Sequence, residues 1–419
     1  MFAGSVIRRL APSEEVFAKF EAFTSMTVRL RGRVDVDAMS EALDALLEAH
    51  PVLGTHLEQG SDGSYHIVAD DFLHNGMWVA DGNNGMRVGE AEMPLDQSLS
   101  LVNMRLTLGE AASELTVFLH HAIADGHHGA ALLDELFSRY TDVVTNGDPG
   151  PVVPQPVPYS PEAMLAHRGI TKLGMSGIER FLPLLHAYDL PAAPRPTVSA
   201  KPGSPQPVPV TRVRLTEQET ADLVEFGREN RVSVSTVVAG AILMTEWKLR
   251  ETPHVPIPYC YPVDLRYVLN PPVNPTDSTN LVGVATYLAE IGPDTDIVDL
   301  ASDIAETFRN DLSDGLIQQS GLYNTVAFQE SPPGLPPLVF CTDVSALPDI
   351  RTPAGIELDD FQGQFHCAMP VPIDFYGCGV SAGQLTIERH GYSPGSEKPL
   401  EEIRSLLCTI PSEYGWVME

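Results

Sequence analysis

Cysteine is scarce in this chain of 419 residues. There are five, Cys260, Cys341, Cys367, Cys378 and Cys408, all beyond residue 259 and without paired spacing. That pattern offers no disulfide frame and points to free thiols in a reducing compartment. Positive charge is short as well: 26 Lys and Arg stand against 56 Asp and Glu, a net charge of −30. With no basic stripe to offset it, a nucleic-acid partner is excluded and adhesion to anionic lipid is disfavoured. No apolar run approaches the roughly 20 residues of a membrane-spanning helix. The first nine residues, Met1 to Arg9, lack the basic-then-apolar layout of a secretory signal. A cytoplasmic location is expected, with contact at the inner face of the membrane left open. Neither a P-loop nor a dinucleotide glycine fingerprint stands beside any strand pattern.

What is present is an alternation of strands and helices in two halves. In residues 1–146, Thr27 to Val34 alternates like a half-exposed strand, and Asp37 to Ala49 places Met39, Leu43, Leu46 and Leu47 on one helical face. Asp35 or Asp37 can cap that helix. Val52 to Leu57 reads as a strand, Leu101 to Leu108 and Glu114 to His121 as a strand pair. Residues 147–209 carry two proline-rich stretches with a short helical region near Leu173 to Tyr188 between them, so they read as a connector. In 210–419, Thr216 opens a helix and Ser233 to Leu249 forms an apolar one. The proline-bearing strand from His254 to Val263 is expected near a sheet edge or the cleft. Further on come a helix from Asp296 to Leu312, a strand from Pro337 to Thr342, a hairpin from Val371 to Glu388 and a closing helix from Leu400 to Leu407. The expected class is α/β (α+β), with two similar lobes and flanking helices.

The most informative tract is His120-His121-Ala122-Ile123-Ala124-Asp125-Gly126, between a strand and a helix. Imidazole exchanges a proton near neutral pH. Along the strand, Leu115, Val117, Leu119 and His121 share one face, and Thr116, Phe118 and His120 the other. The unbroken aliphatic series marks the more buried face, so His121 is expected to point into the interior cleft as proton acceptor, with His120 held among neighbours. Asp125 and Gly126 supply a cap and a tight turn. Asp125 is expected to face away from the cleft as an anchor, and Arg266 is the candidate cation.

Three rivals compete with that reading. The tract could be a pair of satisfied core histidines. His127 and His128 extend the set to four histidines in nine residues, which suggests a metal, but adjacent strand residues point apart and no nearby Cys or Glu completes a tetrahedral set. No metal is therefore expected, and His127 and His128 are placed in a first helical turn, partly exposed. Gly379-Val380-Ser381-Ala382-Gly383 matches the G-x-S-x-G nucleophile elbow, which needs strand, sharp turn and helix. The alternating Gln384 to Arg389 that follows predicts a hairpin instead.

HHxxxDG resembles the signature of the superfamily of chloramphenicol acetyltransferase, carnitine and plant acyltransferases and peptide-synthetase condensation domains. The segments SEEVFAKFEAFTSMTVRLRG (13–32), HHAIADGHHGA (120–130), TEWKLRETPHVPIPYCYPVDLR (245–266), PPGLPPLVFCTD (332–343) and PSEYGWVME (411–419) resemble, end to end, the mycobacterial polyketide-associated acyltransferases that esterify phthiocerol. The resemblance implies two chloramphenicol-acetyltransferase-like lobes, each a mostly antiparallel or mixed sheet, with a tunnel at their interface. It implies His121 as general base and Asp125 as structural, through an arginine. Where relatives carry DFGWG, this chain has Asp374-Phe375-Tyr376-Gly377-Cys378-Gly379, a departure in a scaffold hairpin that leaves the chemistry untouched.

The implied activity moves a long-chain, mycocerosyl-type acyl group to the hydroxyls of a long-chain diol, directly and without a resident cofactor. The donor is an acyl thioester on a phosphopantetheine carrier domain of a polyketide synthase, or on coenzyme A. Arg228, Arg231 and Arg309 are candidates for carrier docking, against the plainer reading that they offset helix dipoles. The oxyanion donor is expected from the second lobe, and the chain is expected to be a monomer. An amide-forming condensation enzyme and a non-catalytic carrier- or lipid-binding module stay open as alternatives.

Overall fold

A computed structural model describes residues 4–69, 76–82, 95–185, 187–188, 190, 205–323, 334–343, 349–369, 374–381, 383–392, 395 and 397–413. The first half runs β1 (Ser5–Arg9), α1 (Pro12–Phe20), β2 (Phe23–Arg31), α2 (Val36–Ala49), β3 (Thr55–Gln59), β4 (Tyr65–Ala69), β5 (Met77–Asp81), β6 (Val102–Leu108), β7 (Ala112–His120) and α3 (Gly126–Asn146). Helix α4 (Pro161–His167) follows, then β8 (Gln206–Pro207), β9 (Val210–Arg214), α5 (Glu217–Asn230), α6 (Val234–Leu249), β10 (Ile257–Asp264), α7 (Leu265–Val268) and β11 (Val282–Ala289). The chain continues through α8 (Ile297–Ser313), α9 (Leu316–Ser320), β12 (Val339–Asp343), β13 (Glu357–Cys367), β14 (Phe375–Ser381), β15 (Gln384–His390) and α10 (Glu397–Glu413).

Two six-stranded sheets form the bodies of two lobes, in the orders β5-β6-β7-β2-β13-β8 and β11-β10-β12-β14-β15-β9, with a small β1-β4-β3 sheet beside the first. In the first lobe, Met26, Val28 and Leu30 of β2, Met104 and Leu106 of β6 and Leu115, Val117 and Leu119 of β7 form one aliphatic face. Helices α2 and α3 cover it, because their buried residues recur every three or four positions: Met39, Leu43 and Leu46 in α2, Leu132, Leu133, Leu136, Phe137 and Tyr140 in α3. Asp35 caps α2 by accepting from the Ala38 N–H, and Gly147, at φ +75°, ends α3 in the left-handed conformation. The opposite face of the same sheet is polar. Ser25, Thr27, Thr116, Gln364 and His366 line a cavity there, together with Arg212 of β9 from the second sheet. The second lobe packs α5, α6, α8 and α10 on its own sheet; α6, apolar on nearly every face, is the most enclosed.

Three expectations change. The second lobe does not own the whole of 210–419: β13 pairs antiparallel with β2 from Glu357↔Arg31 to His366↔Phe23, so residues 357–367 complete the first sheet. β8 at 206–207, inside the expected connector, joins that sheet as well. The proline-bearing β10 lies near the sheet edge as expected, second in order between the edge strand β11 and β12. It tolerates Pro258 and Pro262 because its ladder with β12 involves only Tyr259 and Cys260, between the two prolines. Pro51 to Gly54 winds into a 3-10 turn, so the strand expected from Val52 starts at Thr55.

The connector holds α4, capped by Ser160, and a short 3-10 segment over Ile178–Leu184 that contains Pro183; residues 191–204 and 371–373 lie outside the described residues. Helix α3 lies so close to β2 and β7 that a Cβ on Gly129 would sit 2.7 Å from Met26 Cε and 2.9 Å from Leu119 Cδ1. Met26 Cε and Leu119 Cδ1 are side-chain ends that can give way to one methyl, so the larger Gly129→Leu is the overpacking test, expected to lose about 1–3 kcal/mol in urea unfolding; an unchanged midpoint would mean that α3 shifts off the sheet freely.

Candidate active site

Strand β7 ends at His120, and the chain turns through His121 to Ala124 before Asp125 caps α3. The two histidines therefore meet different surroundings. His120 is fully buried. Its Nε2 lies 2.9 Å from Gln97 Oε1, its Nδ1 accepts from the Ala122 N–H at 3.1 Å, and Phe23 stands edge-on to it. Burial, then the neighbouring His121, pushes its pKa down to about 3. His120 is a neutral structural ring.

His121 is partly exposed and lies where three elements meet. Phe17 of α1 stacks on it at 4.2 Å, and Phe365 of β13 stands edge-on at 5.7 Å. Asn280, from the segment leading into β11, holds it from the second half, with Oδ1 2.9 Å from His121 Nδ1. The aliphatic-face parity thus leads His121 to the junction of the halves, while the polar cavity lies across the sheet and His121 is not among its lining. Burial lowers the His121 pKa; its own backbone, Asp125 and Asn280 oppose that shift. The ring is neutral at neutral pH.

Asp125 is buried, and its carboxylate binds in two directions. Oδ1 accepts from the His128 N–H at 2.9 Å, capping α3, while Oδ2 accepts from Arg266 Nη1 at 2.8 Å and from the Leu281 N–H at 3.0 Å. Burial raises its pKa, but Arg266 and these N–H groups outweigh that and hold it below the ordinary carboxylate value. Arg266, 1% exposed, also donates to Asp264, Pro275 O, Ser278 O and Thr279 O. The structure thus brings Asp125 and Arg266 together, and the hydrogen bonds of the Asp125 carboxylate go to His128, Arg266 and Leu281 rather than to the His121 ring. Glu14 of α1 accepts from the Thr279 hydroxyl at 2.7 Å, tying the helix that carries Phe17 to the same segment.

Other site expectations need correction. Gly126 is the first residue of α3, shows no positive φ, and has open space where a Cβ would stand; the cap belongs to Asp125 alone. His128 is buried rather than partly exposed, because the 278–281 segment covers the first turn of α3. Its Nδ1 lies 3.2 Å from Ser278 O, and its pKa falls to about 4 by burial. His127 is half-exposed beside Asp264 and Tyr267. Among the described residues no His, Cys, Asp and Glu cluster suits a metal ion. Ser381 ends β14, and Gly383, at φ +75°, turns directly into β15, so strand follows strand and no elbow forms.

Arg228 is exposed but closed on Glu225 of its own helix. Arg231, at φ 58°, ends α5, and Arg309 is exposed on α8. Sequence reasoning missed Asn280, Phe17 and Phe365. The polar triplet Ser278-Thr279-Asn280 ahead of an apolar strand was the available signal for the first.

Comparison with known proteins now decides the family. The chain is 63% identical over 422 residues to the phthiocerol/phthiodiolone dimycocerosyl transferase of Mycobacterium tuberculosis (strain ATCC 25618 / H37Rv), covering 100% of each. The chain belongs to the phthiocerol/phthiodiolone dimycocerosyl transferase family. That family's C-terminal region matches residues 204–390. The solved structure of polyketide synthase associated protein 5 from Mycobacterium tuberculosis superimposes with a TM-score of 0.91 at 62% identity, over 98% of this chain and 100% of that one. The first condensation domain of the CDA synthetase shares the fold alone: TM-score 0.65, 12% identity, 98% and 97% covered.

No helix among the described residues is by itself long and apolar enough to cross a membrane; α5 and α6 together pass that test but meet at 102°, and α6 is a core helix. Replacing Arg266 by Met leaves Asp125 buried without its cation, and a loss of about 3–5 kcal/mol in chemical unfolding is expected. Adding Asp125→Asn, which keeps a cap but removes the charge, should restore part of it. No recovery in the double variant would show that the arginine's backbone contacts, not the ion pair, carry the stability.

Proposed function

We propose that this member of the dimycocerosyl transferase family transfers a long-chain, mycocerosyl-type acyl group from a thioester to the hydroxyls of a phthiocerol-type diol, with His121 as general base. One observation carries the reading: full-length identity of 63% to transferases of that name, with His121 neutral and partly exposed where the two halves meet. His121 takes the hydroxyl proton as the alcohol oxygen attacks the thioester carbonyl. The tetrahedral intermediate collapses, the C–S bond breaks, and the departing thiolate takes the proton back from the imidazolium. No serine or cysteine ester is needed, and no resident cofactor. A hydrogen-bond donor from the second half stabilises the oxyanion.

The donor thioester is carried on the phosphopantetheine arm of a polyketide-synthase carrier domain, with coenzyme A as the simpler substitute. The enzyme acts in the cytoplasm, next to the inner face of the membrane. Carrier docking falls to Arg231 and Arg309, both exposed; Arg228, already closed on Glu225, is the weaker candidate.

His121→Ala is expected to reduce ester formation to background with an unchanged circular dichroism spectrum. Thiol release from an acyl thioester in the presence of a simple alcohol measures it, and a variant with the wild-type rate refutes the base. Because burial lowers the His121 pKa, the base is unprotonated above that lowered value. The rate should rise through a midpoint below about 6.5, the free-imidazole value, and be flat at neutral pH. Arg231→Glu with Arg309→Glu should weaken transfer from a carrier-bound donor and spare a small acyl-coenzyme A donor; equal loss on both donors would rule out docking.

A further inference from the structure

Asn280 holds His121 twice. Its Nδ2 donates to the main-chain oxygen of His121, and its Oδ1 lies 2.9 Å from His121 Nδ1. The first contact orients the amide for the second, because the opposite orientation would set two oxygens against each other. An amide oxygen can only accept, so Nδ1 carries the ring hydrogen and the lone pair is left on Nε2. Asn280 is in turn bracketed by Asp125. The Asp125 N–H donates to Thr279 O at 3.1 Å, and the Leu281 N–H donates to Asp125 Oδ2 at 3.0 Å. The residues on both sides of Asn280 are thus pinned by the aspartate of the histidine tract.

Resting on the role of His121 as base, we infer that Asn280 is a positioning residue that locks His121 in the tautomer with Nε2 as the basic nitrogen, and that Asp125 acts on the base through Asn280. The aspartate faces Arg266 rather than the ring, so its effect on the ring passes through the segment it pins. An amide suits this place better than a carboxylate. A carboxylate would accept the same hydrogen but favour the imidazolium, which cannot take a proton. Of the other groups around the ring, the main chain of His121 also bonds it, and Asn280 Nδ2 holds that carbonyl in place; Phe17 and Phe365 are uncharged, His120 turns to Gln97, and Arg266 is engaged by Asp125 and Asp264.

The test uses the full-length protein labelled with 15N-histidine, the His121 signals being identified by their loss in His121→Ala. Nitrogen spectra at neutral pH should show the His121 hydrogen on Nδ1. In Asn280→Leu that bias should weaken and kcat fall about a hundredfold with little change in KM. In Asn280→Asp the Nδ1–H tautomer should persist while the acid limb of the pH–rate profile moves up by about one unit. A wild-type hydrogen on Nε2, or tautomer and pH profile unchanged in both variants, overturns the inference. If Asn280→Leu does not fold, the wild-type spectrum and the Asn280→Asp profile decide the outcome. The tautomer is read without substrate, so a mistaken base assignment is distinguishable: His121→Ala stays active while the tautomer bias stands.

Discussion

The buried pair of Asp125 and Arg266 is the constraint on which the junction depends. Both groups are taken out of water, a costly transfer that is offset only when their polar atoms find partners. Here each carboxylate oxygen and each guanidinium nitrogen has at least one. The carboxylate is shared among the arginine, the start of α3 and the Leu281 amide, and the guanidinium is completed by Asp264 and by the carbonyls of Pro275, Ser278 and Thr279. One end of this arrangement belongs to the first lobe and the other to the second half of the chain. It sets where the 278–281 segment crosses the strand end that carries the histidines, and so where Asn280 arrives.

Two adjacent histidines then acquire opposite characters from their packing. His120 is enclosed between Phe23 and Gln97, and burial makes its protonation so costly that its pKa falls to about 3. His121, one residue past the strand, lies between Phe17 and Phe365 with part of its surface open. The aromatic walls restrict the motion of the ring without adding charge. Intrinsic basicity is the same for both side chains; surroundings alone separate a structural ring from one able to exchange a proton.

The lobes are bound together by more than this site. Strand β13 leaves the second half, pairs with β2 along nearly its whole length, and brings Phe365 to His121 and Gln364 and His366 to the polar cavity on the other face. A reading by alternation and helical spacing finds such a strand but not its sheet, since pairing depends on which edge is vacant in the folded molecule. It also left His128 exposed on paper, because its cover comes from 150 residues further along.

Local chemistry was enough to determine much of this protein. Capping aspartates and threonines, Asp125 among them, apolar spacing in α2 and α3, the hairpin at Gly383 and the pairing of a strand end with HHxxxDG are all properties of short segments, where neighbouring residues set the conformation. Tertiary structure decided the rest: the transfer of β13 to the first sheet, the enclosure of His120 and His128, and the meeting of Phe17, Phe365 and Asn280 around His121. Most of those contacts join residues about a hundred or more positions apart, and only the packing of complete sheets and helices selects among the many partners such residues could have had.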